Sequence, residues 1–171
     1  MTKPIEHCYW VVQNKLLAGE YPRTKEAGPS QRRIDALVRA GVTLFIDLTE
    51  ENEDLLPYAS FLTAHKRVSH RRFPIRDVSI PRSQEVTIGI LNAIDAETSK
   101  GGIVYVHCWG GVGRTGLIVG CWLARHCGDG NAALLRLREL WQHCPKSLDR
   151  QSPETIDQEH YIINWKEARK I

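Results

Sequence analysis

No stretch of this chain approaches the roughly 18 consecutive apolar residues that a membrane-crossing helix requires. A membrane span is therefore not expected. Met1 to His7 has no apolar signal core, so a secretory leader is not expected either. There is no C-x-x-C pair: Cys8, Cys108, Cys121, Cys127 and Cys144 are scattered. That argues against a zinc site, and neither a metal nor a cofactor is called for. Their odd number and irregular spacing do not make a disulfide framework. A reducing cytoplasm with free thiols is the simplest compartment. Charge of one sign is also scarce. The 23 Lys and Arg against 20 Asp and Glu leave a net +3. This suits anionic substrates but is too weak to argue for a nucleic-acid partner. Repeats, low-complexity tracts and linkers are missing, so the 171 residues read as one domain, 1–171, with a single core.

What the chain does have is an alternation of apolar runs and amphipathic segments. "CYWVVQNKLLAGEYP" reads as two short strands around Gln13-Asn14. "SQRRIDALVRAG" places Ile34, Leu37, Val38 and Ala40 at helical spacing before the stop at Gly41. "VTLFIDL" and "IVYVH" are continuous apolar runs, as strands covered on both faces should be. "LLPYASFLTAHK" predicts a short helix and "HRRFPI" a strand. A helix is predicted from Pro81 to the glycines at 101–102. "RTGLIVGCWLARHC" is apolar nearly all round and predicts a central, covered helix. "NAALLRLRELWQHC" is amphipathic and is stopped by Pro145. A last helix is predicted to open at Ser152-Pro153, serine capping and proline in the first turn. The expected fold class is α/β: a mostly parallel central sheet of about four to five strands, with helices on both faces.

One stretch concentrates chemistry. "VHCWGGVGRTG" runs from the end of a buried strand into the start of a helix. Ligands of parallel sheets bind at the carboxyl ends of strands. Gly110, Gly111 and Gly113 free the backbone to turn successive N–H groups inward as an anion nest, and the helix adds its own N–H groups and positive dipole end. The whole run Cys108, Trp109, Gly110, Gly111, Val112, Gly113 and Arg114 would then surround a phosphate. Arg114 supplies a planar fork that matches two oxygens. The same surroundings activate the sulfur. Helix N-termini and nearby cations lower a thiol pKa to roughly 3.5–7.5, so Cys108 is expected to be a thiolate. Thr115 is a candidate hydrogen-bond donor to it. Attack on phosphorus, giving a cysteinyl-phosphate, is the chemistry such a sulfur suits.

Simpler readings compete. A cysteine at a strand end is usually a buried small hydrophobe. A glycine-rich loop alone could hold a nucleotide, but the Gly-Lys-Ser/Thr ending of a P-loop is missing. A papain-like Cys-His pair is disfavoured, because His107 and Cys108 are neighbours at a strand end and point to opposite faces. His107 either orders the loop from beneath or is a packed histidine. Cleavage of a phosphate ester also needs a proton donor for the leaving oxygen. Asp47 reads as structural within "LFIDL", and Asp54 lies in the acidic run "TEENEDLL", read as solvated. Asp77 follows a strand, between Pro74 and Pro81, which delimit a loop able to close over a ligand.

"HCWGGVGRTG" resembles the signature loop of the cysteine-dependent protein tyrosine phosphatase superfamily: His-Cys, five residues, then Arg-Thr/Ser-Gly. The compact chain and the loop sequence resemble the dual-specificity branch, including its kinase-associated and small bacterial members. The likeness extends over about Leu17 to Gln158. It implies an enzyme that forms a cysteinyl-phosphate, with Cys108, Arg114 and Thr115 in the signature and "FPIRD" as a Pro-x-x-Asp acid loop carrying Asp77. It also implies that "SPETIDQ" is the glutamine-containing loop, with Gln158 holding the hydrolytic water. The superfamily's phosphoinositide enzymes carry lysines at the loop positions that here are Trp109 to Gly113, which makes an inositol polyphosphate the weaker candidate. The expected partner is a phosphorylated protein, phosphotyrosine first, with phosphoserine and phosphothreonine possible. Arg71, Arg72, Arg76 and Arg82 are candidate docking charges. A non-protein phosphate ester and a phosphate-binding scaffold remain the alternatives.

Overall fold

The computed structural model describes residues 2–167. Five strands form one sheet in the order β1-β2-β5-β3-β4: β1 Cys8–Val12, β2 Leu16–Gly19, β3 Val42–Asp47, β4 Ser69–Arg72 and β5 Ile103–His107. The β1–β2 hairpin is antiparallel, and every other pairing is parallel. The hairpin turns at Gln13-Asn14, where Asn14 takes a positive φ of 58°. β3 and β5 sit at the centre, which explains their unbroken apolar sequence.

Alternate residues of those strands face two separate cores. Leu44, Ile46, Val104 and Val106 pack with α3 Gln84–Thr98, α4 Gly113–Cys127, α5 Gly130–Trp141 and α6 Ile156–Ile163. Phe45 and Tyr105 face the other way, onto α1 Ala27–Arg39 and α2 Ala59–Leu62. The α/β class, the mostly parallel sheet and helices on both faces are as expected. α4 is the covered helix its composition predicts: Leu117 to Trp122 are all buried. Among the described residues, no helix is long and apolar enough to cross a membrane, and all five cysteines are free thiols.

Several boundaries differ from the sequence reading. The strand predicted over "HRRFPI" stops at Arg72, although Phe73 and Ile75 still donate to the Asp47 and Leu48 carbonyls. The short helix covers only Ala59–Leu62, behind Tyr58 at the N-cap position. The helix predicted from Pro81 begins at Gln84 behind Ser83. The last helix does not open at Ser152-Pro153. That peptide bond is cis. Thr155 is the cap, accepting from the Gln158 N–H at 3.2 Å, and the helix starts at Ile156. The Ser152 hydroxyl is engaged elsewhere, on the glycine-rich loop.

Candidate active site

β5 ends at His107 and α4 begins at Gly113, so residues 108–112 form the loop at the carboxyl end of the central strand. Gly111 has φ +73°, where glycine is favoured. A β-carbon there would meet the backbone where β2 ends, 2.5 Å from the Gly19 oxygen and 2.6 Å from the Glu20 nitrogen. The loop therefore lies directly on the end of β2.

The loop's carbonyls are bonded into the surrounding framework. The Cys108 oxygen accepts from His107 Nδ1 at 3.2 Å, and the Trp109 oxygen from the Tyr21 N–H at 2.9 Å. The Gly110 oxygen accepts from Lys146 Nζ at 2.8 Å, and the Val112 oxygen from Ser152 Oγ at 2.8 Å. In a trans peptide the carbonyl and the following N–H point in opposite directions. Fixing these oxygens to the framework turns the N–H groups of Trp109, Gly110, Gly111 and Gly113 the other way. No backbone N–H from Trp109 to Thr115 donates to another described residue. The result is a concave row of free donors at a helix N-terminus.

A cleft of about 470 Å³ opens over this row, lined by Glu20, Asp77, Val78, Cys108, Trp109, Gly110, Val112, Gly113, Lys146, Arg150 and Glu154. Cys108 is buried at its floor. Trp109 and Val78 are exposed apolar walls at its mouth. Arg114 is buried beside the loop. Its Nη1 donates to Glu53 Oε1 at 2.5 Å and to the Ile75 carbonyl at 3.0 Å. Its Nη2 contacts Glu53 Oε2 and Asp77 Oδ1, each at 2.9 Å. Burial alone would lower the guanidinium's pKa, but hydrogen bonding to Glu53 and the neighbouring negative charges hold it above its ordinary value. Arg114 Nε has no partner among the described residues.

Asp77 lies beside Arg114, half-exposed and lining the cleft. Its neighbour Val78 has φ +53°, a strained conformation for a β-branched residue, in the turn that carries both side chains to the cleft. Asp47 is buried and structural. Its carboxylate takes the Thr49 N–H and hydroxyl, His70 and Arg72. Asp54 is exposed. Arg72 is paired with Asp47 and also approaches Glu51 at 3.7 Å, and Arg71 lies over the Phe73 ring at 4.9 Å. The cations that do line the cleft are Lys146 and Arg150.

Two predicted residues sit differently from expectation. The Thr115 hydroxyl donates to the Gly19 carbonyl at 3.5 Å, and no hydrogen bond joins it to the Cys108 sulfur. Gln158 is buried and its amide is occupied. Nε2 donates to the Ser79 carbonyl at 3.0 Å, and Oε1 accepts from the Glu154 N–H at 3.2 Å. It ties the Asp77 loop to the segment before α6 and does not line the cleft. Glu53, Lys146 and Ser152 were missed by the sequence reading. Nothing in "TEENEDLL" says which carboxylate turns inward, and the other two act on backbone carbonyls distant in sequence.

His107 is buried under the loop. Its Nδ1 faces a carbonyl and must donate, so Nε2 accepts from the Tyr58 hydroxyl at 2.6 Å. Burial pushes its pKa down to about 4, against the weaker opposing pull of Asp47 and of the bond to Cys108. An unfolded histidine titrates near 6.5. Below that pH the unfolded chain takes up a proton that the folded one refuses. This contribution is complete above pH 6.5 and is lost as pH falls toward 4, by about 3 kcal/mol. Urea unfolding between those pH values should show the loss, and His107→Gln should flatten it. Equal pH slopes for both proteins would contradict the assignment. Gly111→Ala combines left-handed strain with a backbone clash. It should cost on the order of 3 kcal/mol, checked by the same unfolding assay. An unchanged midpoint would mean that the loop does not sit on β2.

A thiol under free backbone donors, a buried arginine and a loop aspartate on a parallel-sheet scaffold define the class of cysteine-dependent phosphatases. Residues 5–162 match the family described as PTP-SAK, Swiss Army Knife protein, DSP-PTPase phosphatase domain, and the chain belongs to it. It is similar to the protein 067L of Invertebrate iridescent virus 3, named as a candidate tyrosine phosphatase. The two are 33% identical over 117 residues, 66% of this chain and 44% of the relative. It is also 33% identical to the phosphatidylglycerophosphate phosphatase PTPMT2 of Arabidopsis thaliana over 101 residues, 58% of this chain and 43% of the relative. The chain thus spans less than half the length of these curated relatives. Among solved structures, Tk-PTP in its active form shares the fold. Its TM-score is 0.71 at 23% identity, covering 90% of this chain and 91% of that one.

Proposed function

We propose that the chain hydrolyses phosphate monoesters through a cysteinyl-phosphate intermediate, with phosphotyrosine in proteins as the preferred substrate. The observation that carries this reading is the row of unpartnered N–H groups from Trp109 to Thr115 around the Cys108 thiol. A phosphoryl group seated there accepts from those donors and from Arg114 Nε. The Cys108 thiolate attacks phosphorus and forms an S–P bond. The P–O bond to the leaving group breaks, and Asp77 gives that oxygen its proton. Water then attacks phosphorus, returns a proton to Asp77 and releases inorganic phosphate and the thiolate. Arg114 stabilises the charge on the transferring group, which is where a preorganised fork contributes most. Glu53 holds the fork in register. Thr115 anchors the loop to β2. Gln158 anchors the acid loop through the Ser79 carbonyl.

Trp109 and Val78 support the choice of an aromatic phosphate, since they give the mouth apolar walls for a phenyl ring. The likeness to a plant phosphatidylglycerophosphate phosphatase favours a second reading, a lipid phosphomonoester. Phosphate release should be compared on phosphotyrosine, phosphoserine and phosphothreonine peptides, phosphoinositides and phosphatidylglycerophosphate. The highest kcat/KM on phosphotyrosine peptides is the expected result. A preference for the lipid would replace the first reading with the second, and release from none of them would reject both.

A further inference from the structure

We propose that Lys146 is a positioning residue that sets the anion-binding geometry of the phosphate loop. The inference rests on the proposed phosphate site and goes beyond the signature residues. Lys146 comes from a 3₁₀ turn, Pro145–Leu148, far from the loop in sequence. Its ammonium donates to the Gly110 carbonyl at 2.8 Å. Of the groups bonded to this loop's carbonyls, the ammonium is the charged one, and charge-assisted bonds are the strong ones. Holding that oxygen fixes the Gly110–Gly111 peptide plane, and so aims the Gly111 N–H at the bound anion. Glycines on both sides of that bond leave the plane with little torsional preference of its own, so an outside group must define it.

The ammonium is itself held. Glu20 Oε2 accepts from Lys146 at 2.6 Å, and Glu20 Oε1 accepts from Arg33 of α1 at 2.5 Å. The Glu20 main chain is fixed as well, with its carbonyl accepting from the Tyr105 hydroxyl at 2.5 Å and its N–H donating to His7. Arg33, Glu20, Lys146 and Gly110 form one continuous chain of contacts from α1 to the loop. Both Lys146 and Glu20 are mostly buried, with 22% and 15% of their side chains exposed. Solvent screening of this pair is correspondingly reduced. Pairing with Glu20 also cancels the lysine's charge toward the cleft, which favours a geometric role over direct attraction of substrate.

The test separates oxyanion binding from turnover. Tungstate affinity is measured by calorimetry in the Cys108→Ser background, and p-nitrophenyl phosphate kinetics with Cys108 intact. Loss of one charge-assisted bond predicts that Lys146→Met weakens tungstate binding roughly tenfold or more. It should lower kcat/KM for p-nitrophenyl phosphate by a similar factor, and Lys146→Arg should recover most of both. Glu20→Gln, which removes the carboxylate that seats the ammonium but leaves its charge, should weaken tungstate despite the added attraction of the uncancelled cation and decides the matter if Lys146→Met does not fold; tighter tungstate binding in that variant would overturn the proposal. A merely scaffolding lysine would lower Tm and the folded fraction but leave the affinity of folded molecules unchanged, and that result would overturn the proposal. So would a loss confined to substrates carrying a second anionic group, which would assign Lys146 to substrate contact. If tungstate binds with the predicted ratios but no phosphoester is cleaved, the proposed activity fails and this inference stands. If the parent protein binds no tungstate, the cradle fails and takes the inference with it.

Discussion

Cys108→Ser should reduce turnover by roughly 10⁴–10⁶-fold, the scale expected when a nucleophile is removed, while the folded protein still binds tungstate. Serine keeps the size of the side chain, and the buried floor of the cleft has room for either atom. Its hydroxyl does not ionise near neutral pH, so the attacking electron pair is lost. The oxyanion contacts are not. The loop carbonyls remain bonded to His107, Tyr21, Lys146 and Ser152, and Arg114 remains paired with Glu53. Calorimetry with tungstate and a phosphate-release assay read the two properties separately. Loss of both together would mean that the sulfur is structural. Retention of both would mean that another group attacks phosphorus.

Asp77→Ala should slow cleavage of a phenolic phosphate by about 10²–10⁴-fold, the range for a lost general acid. A phenoxide with a pKa near 10 leaves poorly without a proton. A nitro-substituted phenoxide leaves more easily, so the penalty should shrink as leaving-group pKa falls. The substitution also removes one carboxylate from Arg114 Nη2, but Glu53 still holds that nitrogen at 2.9 Å, so substrate binding should persist. Asp47→Ala and Asp54→Ala are the controls. Asp47 is buried under Arg72 and His70, and its loss should lower stability without a leaving-group trend. An equal penalty across a series of aryl phosphates would make Asp77 structural. A trend in either control would move the acid there.

Local chemistry was the legible part of this chain. "IVYVH" followed by "CWGGVGRTG" places a strand, a glycine loop and a helix in order, and the fold has that order. Pro74 and Pro81 bracketed the loop that brings Asp77 to Arg114. The supports of the loop were not legible, because they are long-range. Ser152-Pro153 has the cap-and-proline pattern of a helix start, yet the serine bonds the Val112 carbonyl, forty residues away, and Thr155 caps instead. Glu53 is one carboxylate in an acidic run, and what brings it rather than Asp54 to Arg114 is the path of the backbone there. Gln158 lies on the predicted segment, but its amide bridges Ser79 and Glu154, a pairing set by tertiary packing. The carbonyl ties that orient the nest have no sequence signature, since any donor at the right place suffices.

The central claim is that phosphate passes through the Cys108 sulfur. The most direct measurement mixes the protein with a phosphotyrosine peptide, quenches in acid within the first turnover and maps the modified residue by mass spectrometry. The predicted result is one phosphate on the peptide that contains Cys108, appearing and decaying at rates compatible with kcat and missing from Cys108→Ser. Turnover with no phosphorylated cysteine at any quench time, or with phosphate on another residue, would contradict the account.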